Sequence, residues 1–336
     1  MCRDRRSSPQ AIFDPKQCPF TIRQLNKTTW LVRENDQYSE HPHIYIKKYT
    51  NDSSSVLIIT DTGVGTSTPR PSPHENWTLA SFIQHHFNPT LSIPYLVVLS
   101  HCHYDHILGL SSLLSSPAHV TICASGQDPG FITPYENLQE HSLCADLGLH
   151  APQYEIDIWA GNGQGVKYTH PDGGELELPI LTFHTPGHTP DSLTWMDTQE
   201  RVLYVGDSFY TATSPDSHPD EPALILFPNE GDLTAWWNSV KNLLDIVQTF
   251  NNQHDGDRMK ISSGHVSVGE DAEEILVDVK GFMARVLRGD VEGVDEGRKR
   301  GEEFGVWREE GRFGLGAPVG VVRRGRESIP TGEWER

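Results

Sequence analysis

The stretch Ser100-His101-Cys102-His103-Tyr104-Asp105-His106 brings three imidazoles and one carboxylate into a single short segment. It follows Leu96-Val97-Val98-Leu99, an apolar run of the kind that fills a buried strand. Sheets of α/β proteins hold their sites in the crevice beyond the carboxyl ends of their strands. We therefore expect these polar side chains to lie at the end of a buried strand, where they can form a site.

Imidazole nitrogens and carboxylate oxygens are ligands of Zn²⁺ and of other borderline divalent metals. A lone His-x-His pair is more often part of a polar turn, in which the histidines are solvated or cap a helix. Here, three later segments also place a His or an Asp just after a strand-like run: Thr185-Pro186-Gly187-His188, Tyr204-Val205-Gly206-Asp207 and Ser262-Ser263-Gly264-His265. The combined pattern favours a metal site built from several strand ends. Cys102 alternates with the histidines, so we expect it to face away from the metals as a buried thiol.

In chain order, His101-x-His103-x-Asp105-His106, His188, Asp207 and His265 resemble the ligands of the two-metal metallo-β-lactamase-fold hydrolases. The resemblance extends from about Leu31 to about Arg288, which is most of a single domain of this length. It implies an α/β fold of the αββα type, in which two mixed sheets pack together and are flanked by helices.

The resemblance also implies a role for each candidate residue. Two zinc ions would be bound, one by His101, His103 and His188 and the other by Asp105, His106 and His265, with Asp207 as the bridge. Asp61 follows the strand-like run Val56–Thr60 and matches an aspartate that supports a metal ligand from behind in this family. The alternative for Asp61 is an ordinary turn aspartate.

Two divalent cations roughly 3.5–4 Å apart can share a water and lower its pKa, so that hydroxide is available at pH 7. A complete His/Asp set without a cysteine resembles the thioesterase, glyoxalase II-like and lactonase branches more than the true β-lactamases. The sequence therefore predicts a zinc-dependent hydrolase that cleaves a small ester, lactone or thioester with a metal-bridged hydroxide. Asp105 belongs to the predicted catalytic group.

Tyr210 is the second predicted catalytic residue. It lies three residues after Asp207, where acyl-homoserine-lactone lactonases carry a tyrosine near the substrate carbonyl. Its phenol could donate a hydrogen bond to the developing oxyanion. The alternative is a tyrosine that only packs over the strand end.

Two other functions are compatible with parts of the pattern. An iron-dependent persulfide dioxygenase of the same fold would use one metal bound by two His and one carboxylate, which does not require all seven ligands. A non-catalytic metal-binding scaffold would normally have lost some of them. The number and identity of the bound metals distinguish these three functions.

Composition limits the partners. The formal net charge of the 336-residue chain is −19, which opposes binding to nucleic acid or to an anionic membrane. The five cysteines are odd in number and lack a CxxC spacing, which tells against a disulfide framework. The polar start and the lack of a long apolar run predict a cytoplasmic protein that acts on a small molecule. The oligomeric state stays open.

The predicted organisation is an N-terminal extension over 1–19, a hydrolase domain over 20–288 and a partly mobile C-terminal extension over 289–336. Asp232 is predicted to cap a long amphipathic helix, and 271–286 to form a final one. We expect 305–322 to add a strand pair and the residues from Arg323 onward to be mobile. The Pro-rich stretch 214–228 is expected to cover the site.

Overall fold

A computed structural model describes residues 18–51, 54–65, 77–213, 222–254, 256–309 and 311–334. Most of the predicted N-terminal extension, 1–17, lies outside the described residues, as does 214–221 of the Pro-rich stretch. The strands of the described residues form three sheets, and helices cover the outer faces.

The first sheet comes from the N-terminal half of the chain. In spatial order it consists of β1 (Phe20–Gln24), β2 (Thr29–Glu34), β3 (His43–Thr50), β4 (Ser55–Thr60), β5 (Tyr95–Val98), β6 (Val120–Ser125) and β7 (Ile158–Ala160). Pairing is antiparallel from β1 to β4 and parallel from β4 to β7. The parallel strands β4 and β5 are apolar along almost their whole length because both of their faces are buried.

The second sheet is also mixed. Its spatial order is β14 (Val268–Asp271), β13 (Lys260–Ser262), β11 (Val202–Tyr204), β10 (Leu193–Asp197), β9 (Glu175–His184) and β8 (Gln164–Thr169). The β11–β13 pair is parallel and the other pairs are antiparallel. Strand β9 alternates between exposed and buried residues over its first half, as expected for a strand with one solvated face.

A third sheet joins a short strand of the Pro-rich stretch to the C-terminal region. Its spatial order is β12 (Ile225–Leu226), β17 (Phe313–Pro318), β16 (Glu302–Glu309) and β15 (Gly293–Lys299). Strands β16 and β17 correspond to the predicted strand pair. The parallel pairing of β12 with β17 was not expected from the sequence.

Helices cover the sheets on their outer faces. They are α1 (Leu79–His86), α2 (Tyr104–Ile107), α3 (Leu110–Leu114), α4 (Pro129–Ile132), α5 (Tyr135–His141), a 3-10 turn (Cys144–Leu147), α6 (Leu233–Gln253), α7 (Ala272–Arg288), α8 (Val319–Ser328) and α9 (Thr331–Trp334). The Asp232 carboxylate accepts hydrogen bonds from the N–H groups of Thr234 and Ala235, which confirms the predicted cap of α6. Across the ranges that the structure describes, no helix combines the length and apolar character needed to span a bilayer.

Three apolar clusters show how the layers pack. One joins facing residues of the two large sheets, for example Ile58 and Val98 with Trp195 and Tyr204. A second lies between the first sheet and α1, α3, α4 and α5, and the third lies between the second sheet and α6 and α7. Successive strand residues point to opposite faces, so one strand such as β5 supplies both of its neighbouring clusters. This αββα arrangement confirms the fold predicted from the sequence.

The C-terminal region differs from the mobile end that we expected after Arg323. Val321 and Val322 of α8 are buried in the same cluster as α6 and α7, and Gly325 packs closely against Leu233. The apolar face of α8 is hard to recognise in the sequence because Gly, Arg and Glu residues dominate this region. Residues of β16, β17, α8 and α9 therefore share a core with the preceding helices. The division of the chain at 288/289 stays a prediction, and no break in the core coincides with it.

Candidate metal centre

The predicted ligands come together where strands of both large sheets end. Their side chains form two adjacent groups, the first made of His101, His103 and His188 and the second of Asp105, His106, Asp207 and His265. They lie after β5, at the start of α2, between β9 and β10, after β11 and between β13 and β14. The imidazoles of His101 and His106 belong to different groups, yet their centroids are 4.2 Å apart. The two groups thus lie side by side.

Three imidazole nitrogens converge in the first group. His101 Nε2 and His103 Nδ1 are 3.0 Å apart, and His188 Nε2 lies 3.1 Å from the former and 3.0 Å from the latter. Tetrahedral bonds of about 2.0–2.1 Å to zinc separate two ligand nitrogens by roughly 3.3 Å. The observed spacing is close to that value, so the three nitrogens can serve one metal ion.

Hydrogen bonds fix the tautomers of two of these rings. The Ser100 hydroxyl donates to Asp61 and therefore accepts from His101 Nδ1, which lies 3.0 Å away. His188 Nδ1 donates to the carbonyl of Leu226 over 2.5 Å. Each ring then directs a lone pair at the centre of the group. Lone pairs that face one another repel unless a cation lies between them, so this donor set suits a metal.

Two imidazoles and two carboxylates meet in the second group. His265 Nε2 lies 3.2 Å from Asp105 Oδ2 and 3.1 Å from Asp207 Oδ2. His106 Nε2 lies 3.3 Å and 3.2 Å from the same two oxygens. These ligand atoms all fall within 4.8 Å of one another. Mixed nitrogen and oxygen donors at this spacing suit a divalent cation such as zinc.

The Asp207 carboxylate lies between the two groups. Its Oδ2 belongs to the second group and is 3.9 Å from His101 Nε2 of the first. Its Oδ1 is buried and has no hydrogen-bond partner among the residues that the structure describes. A buried carboxylate oxygen without a partner is costly unless an ion compensates it. This position is compatible with the predicted bridging role, which stays a prediction.

Asp61 contacts both groups from behind. It accepts hydrogen bonds from the Ser100 N–H and hydroxyl, each over 2.7 Å, and from His106 Nδ1 over 2.9 Å. It therefore orients His106 directly and His101 through Ser100. Such partners fix the tautomer and raise the basicity of a metal-binding imidazole. This geometry is compatible with the role predicted for Asp61, which stays a prediction.

Two glycines allow the backbone to approach this centre. A Cβ at Gly264 would lie 2.3 Å from Asp207 Oδ1 and 2.8 Å from His106 Cε1. At Gly187, which precedes His188, φ is +150° and a Cβ would lie 2.4–2.7 Å from backbone and Cβ atoms of Trp236. Only glycine fits at either position without displacing a ligand or the start of α6.

The two groups differ in their affinity for protons. Burial lowers the pKa of all three imidazoles in the first group, and neighbouring imidazoles lower the pKa of His101 and His103 further. Burial acts in the same direction on His106 and His265. There the two carboxylates of the second group outweigh it and hold the pKa of both imidazoles well above the ordinary value. A metal therefore meets neutral ligands in the first group and must displace protons from the second.

Both groups open onto a cavity of about 670 Å³. Part of its wall is apolar and consists of Leu224, Leu226, Phe227 and Phe304. Charged residues outside the two groups also line it, namely Arg33, Glu40, Lys299 and Arg300. A cavity with an apolar wall and a few convergent polar groups is typical of a small-molecule site.

Tyr210 lines the cavity, but its hydroxyl donates to the carbonyl of Leu224 over 2.6 Å. Burial raises the pKa of this phenol well above its ordinary value, so the hydroxyl keeps its proton. Donation to a substrate oxygen would have to replace the bond to Leu224. The catalytic role of Tyr210 therefore stays a prediction. Cys102 is buried outside both groups, next to Asp191, which confirms that its thiol faces away from the ligands.

Sequence reasoning missed the contribution of Glu40. Its backbone carbonyl accepts a hydrogen bond from His265 Nδ1 over 2.9 Å, and its carboxylate accepts one from the hydroxyl of Tyr104. Burial, followed by the charge of Asp105, raises the pKa of Glu40. The loop is held by Asp36, whose carboxylate accepts three backbone N–H groups. No local motif around Glu40 indicates a contact with a residue more than two hundred positions away.

Fold and site together define a protein of the metallo-β-lactamase fold that carries a candidate metal-binding cluster. The family model described as "Metallo-beta-lactamase superfamily" matches residues 55–248, and the chain belongs to that superfamily. Among curated proteins, "Putative transcription factor avaE" of Aspergillus versicolor is 30% identical over 281 residues, which cover 81% of this chain and 77% of that protein. "Uncharacterized protein YobT" of Bacillus subtilis is 30% identical over 117 residues, 34% of this chain and 45% of that protein.

Two solved structures are similar to this chain at low sequence identity. The B3 metallo-beta-lactamase BLEG-1 is 18% identical with a TM-score of 0.47, over 70% of this chain and 92% of that one. A metallo-beta-lactamase from Erythrobacter litoralis, solved with beta mercaptoethanol in its active site, is 16% identical with a TM-score of 0.49, over 81% and 99%.

Proposed function

We propose that this protein is a zinc-dependent hydrolase that binds two metal ions and cleaves a small ester, lactone or thioester. One observation carries the proposal, namely that three imidazole nitrogens at mutual distances of 3.0–3.1 Å lie beside a second His/Asp group. Asp207 Oδ2 belongs to that second group and is 3.9 Å from His101 Nε2. Seven ligands in this arrangement exceed what a single metal needs.

In this proposal each group binds one zinc ion. When bound, two zinc ions supply Lewis acidity, which lowers the pKa of a bound water and polarises the carbonyl of the substrate. The residues of the chain do the remaining work. Leu226 and Asp61 hold His188 and His106 in the tautomer that presents a lone pair. The apolar wall of the cavity excludes water from the acyl part of the substrate.

Orientation of the attacking water is assigned to Asp105. It lines the cavity, and its Oδ2 lies 3.2 Å from His265 Nε2. Burial by itself would raise the pKa of Asp105, but the imidazoles of His106 and His265 hold it well below the usual range. The carboxylate is therefore ionised at neutral pH and can accept a hydrogen bond from an attacking water. Tyr210 would donate to the carbonyl oxygen of the substrate.

The alternatives have weaker support. An iron-dependent dioxygenase would need only two His and one carboxylate. The description of the Aspergillus relative raises nucleic-acid binding, but a net charge of −19 opposes it. A cytoplasmic location and a small-molecule partner stay predictions and belong to this proposal.

Elemental analysis combined with an ester, lactone and thioester panel tests the proposal. The purified protein should contain two zinc ions per chain and hydrolyse at least one class. His103→Ala and His188→Ala should each lower the zinc content and abolish hydrolysis, since both side chains belong to the first group. Asp207→Ala should reduce turnover more than it reduces binding of the first metal. His119→Ala, at an exposed histidine outside the site, is the matched control.

The outcomes separate the candidate functions. A single iron ion with no hydrolysis would support the dioxygenase, and metal binding without turnover would support a scaffold. Unchanged zinc stoichiometry in both His variants would contradict the assignment of the first group. Wild-type turnover in Asp207→Ala would contradict the two-metal mechanism.

A further inference from the structure

The charge at the cavity wall is opposite in sign to that of the chain. The formal net charge is −19, yet the strongly basic residues of the wall outnumber its carboxylates once the two ligand groups are set aside. The basic residues are Arg33, Lys299 and Arg300, and the carboxylate is Glu40. The Glu40 carboxylate accepts a hydrogen bond from the hydroxyl of Tyr104. Because Arg300 is paired with Asp146 and Glu230, Lys299 rather than Arg300 offers positive charge to a ligand in this cavity.

Lys299 is the basic residue best placed to meet a ligand. It ends β15, is exposed, and its Nζ lies 4.2 Å from the centre of the Phe304 ring. Glu302 lies opposite it in the hairpin. Across the described ranges, no carboxylate oxygen comes within 4 Å of Lys299 Nζ, and the ammonium keeps its capacity to pair with an anion.

Arg300 has a different task. Its guanidinium contacts Asp146 over 3.2 Å and Glu230 over 3.1 Å and 3.3 Å. These pairs connect the β15–β16 turn to the segment after α5 and to the segment before α6. The adjacent Lys299 is thereby held at the cavity wall.

Apolar side chains line the same cavity as the ligand groups and Lys299. The side chain of Leu226 is 45% exposed and lines the cavity. Its backbone carbonyl accepts the hydrogen bond from His188 Nδ1. Phe304 is 6% exposed and carries the Lys299 ammonium on its face. A substrate that extends through the cavity from the metal groups to Lys299 would lay its apolar part against Leu226.

We propose that Lys299 determines specificity by binding an anionic group, a carboxylate or a phosphate, at the end of the substrate remote from the scissile bond. This inference rests on the proposed hydrolase function and names its substrate class as an acyl compound with an apolar spacer and an anionic end. The contact with the Phe304 ring holds the Lys299 ammonium at the cavity wall, where it can pair with an anion. Lys299 lies outside both the matched family region and the resemblance.

Equilibrium binding tests the inference apart from turnover. Two non-hydrolysable amides of equal length, N-phenylglutaramic acid and N-phenylpentanamide, are titrated calorimetrically into the metal-loaded protein. A third arm uses the phosphonate analogue of the acid, which distinguishes carboxylate from phosphate preference. The variants are Lys299→Met and the matched control Lys167→Met, an exposed lysine of β8 outside the cavity. The corresponding phenyl esters are assayed in parallel for hydrolysis.

The wild-type protein and Lys167→Met should bind one of the anionic amides about two- to fivefold more tightly than the neutral one, as expected for an exposed ion pair. In Lys299→Met this ratio should fall to about one. Added salt should reduce the ratio in the wild type, because it screens the charge. A preference equal in all three proteins, or the lack of binding by both anionic amides, overturns the inference. If the wild type prefers the anionic amide but hydrolyses none of the esters, the anion-binding role of Lys299 is supported and only the proposed hydrolase function is refuted.

Discussion

Replacement of Asp61 by Asn gives a sharp test of how the metal centre is supported. The two side chains have the same shape, and Asn also tolerates the left-handed backbone of this position, where φ is 58°. The substitution removes the negative charge and one acceptor oxygen. Asp61 accepts from two donors of Ser100 and from His106 Nδ1. One amide oxygen cannot serve all three donors, so at least one of them loses its acceptor.

The magnitude follows from these contacts. A hydrogen bond to a charged group contributes about 1.5–3 kcal/mol. Loss of support behind a ligand typically weakens metal binding about 10–100-fold, which corresponds to about 1.4–2.7 kcal/mol. The two estimates agree. His106 contacts Asp61 directly, whereas His101 is reached through Ser100, so we expect the larger loss in the second group.

The assay is a competition titration of apoprotein and variant against a zinc chelator of known affinity, with zinc content measured after equilibrium dialysis. Asp197→Asn is the control. Asp197 is a buried carboxylate that pairs with Lys47 over 2.7 Å and is not one of the candidate ligands. It should lose stability but keep both zinc affinities. If Asp61→Asn binds its second zinc as tightly as the wild type does, then Asp61 does not support the centre.

Three further predictions concern single residues. Tyr210→Phe should keep both metals but lower kcat, because loss of an oxyanion donor raises the activation free energy by up to roughly 2.7–4 kcal/mol. An unaltered kcat in the metal-replete variant would mean that the hydroxyl only bonds to the carbonyl of Leu224. Gly187→Ala should cost about 1–3 kcal/mol of unfolding free energy, as overpacking does, and weaken zinc binding by the first group, because its Cβ meets Trp236; urea unfolding with wild-type stability would refute the steric argument. Burial, followed by the charge of His265, lowers the pKa of His43 to about 3. Below pH 6.5 His43 is therefore protonated in the unfolded chain but not in the folded chain, and the free energy of unfolding falls as the pH falls. Between pH 7.5 and 5 the wild type should lose about 2 kcal/mol of unfolding free energy through His43, and His43→Phe should not lose this part. Urea unfolding measures both proteins, and an identical pH slope in the two would contradict the assignment.

The sequence alone was sufficient for the two large sheets and for the candidate ligands. Buried strands such as β4 and β5 are short apolar runs, and strand ends are local features that can be read without knowledge of distant contacts. His and Asp at several strand ends predict that their side chains meet, because sheets bring the ends of their strands together. The cap of α6 at Asp232 is equally local.

Only the tertiary structure decided what surrounds the ligands. The pairing of β12 with β17, the contact of Glu40 with His265 and the position of Lys299 at the cavity each join residues that lie far apart in the chain. No local pattern encodes such partners, because the packing of whole layers selects them and overrides the propensity of each segment. The α8 helix is a further case, since its small apolar face becomes stable only against α6 and α7. The candidate metal ligands could therefore be predicted from short motifs. The shape and charge of the cavity beside them depend on a C-terminal region that contributes to it only once it has folded against the rest of the chain.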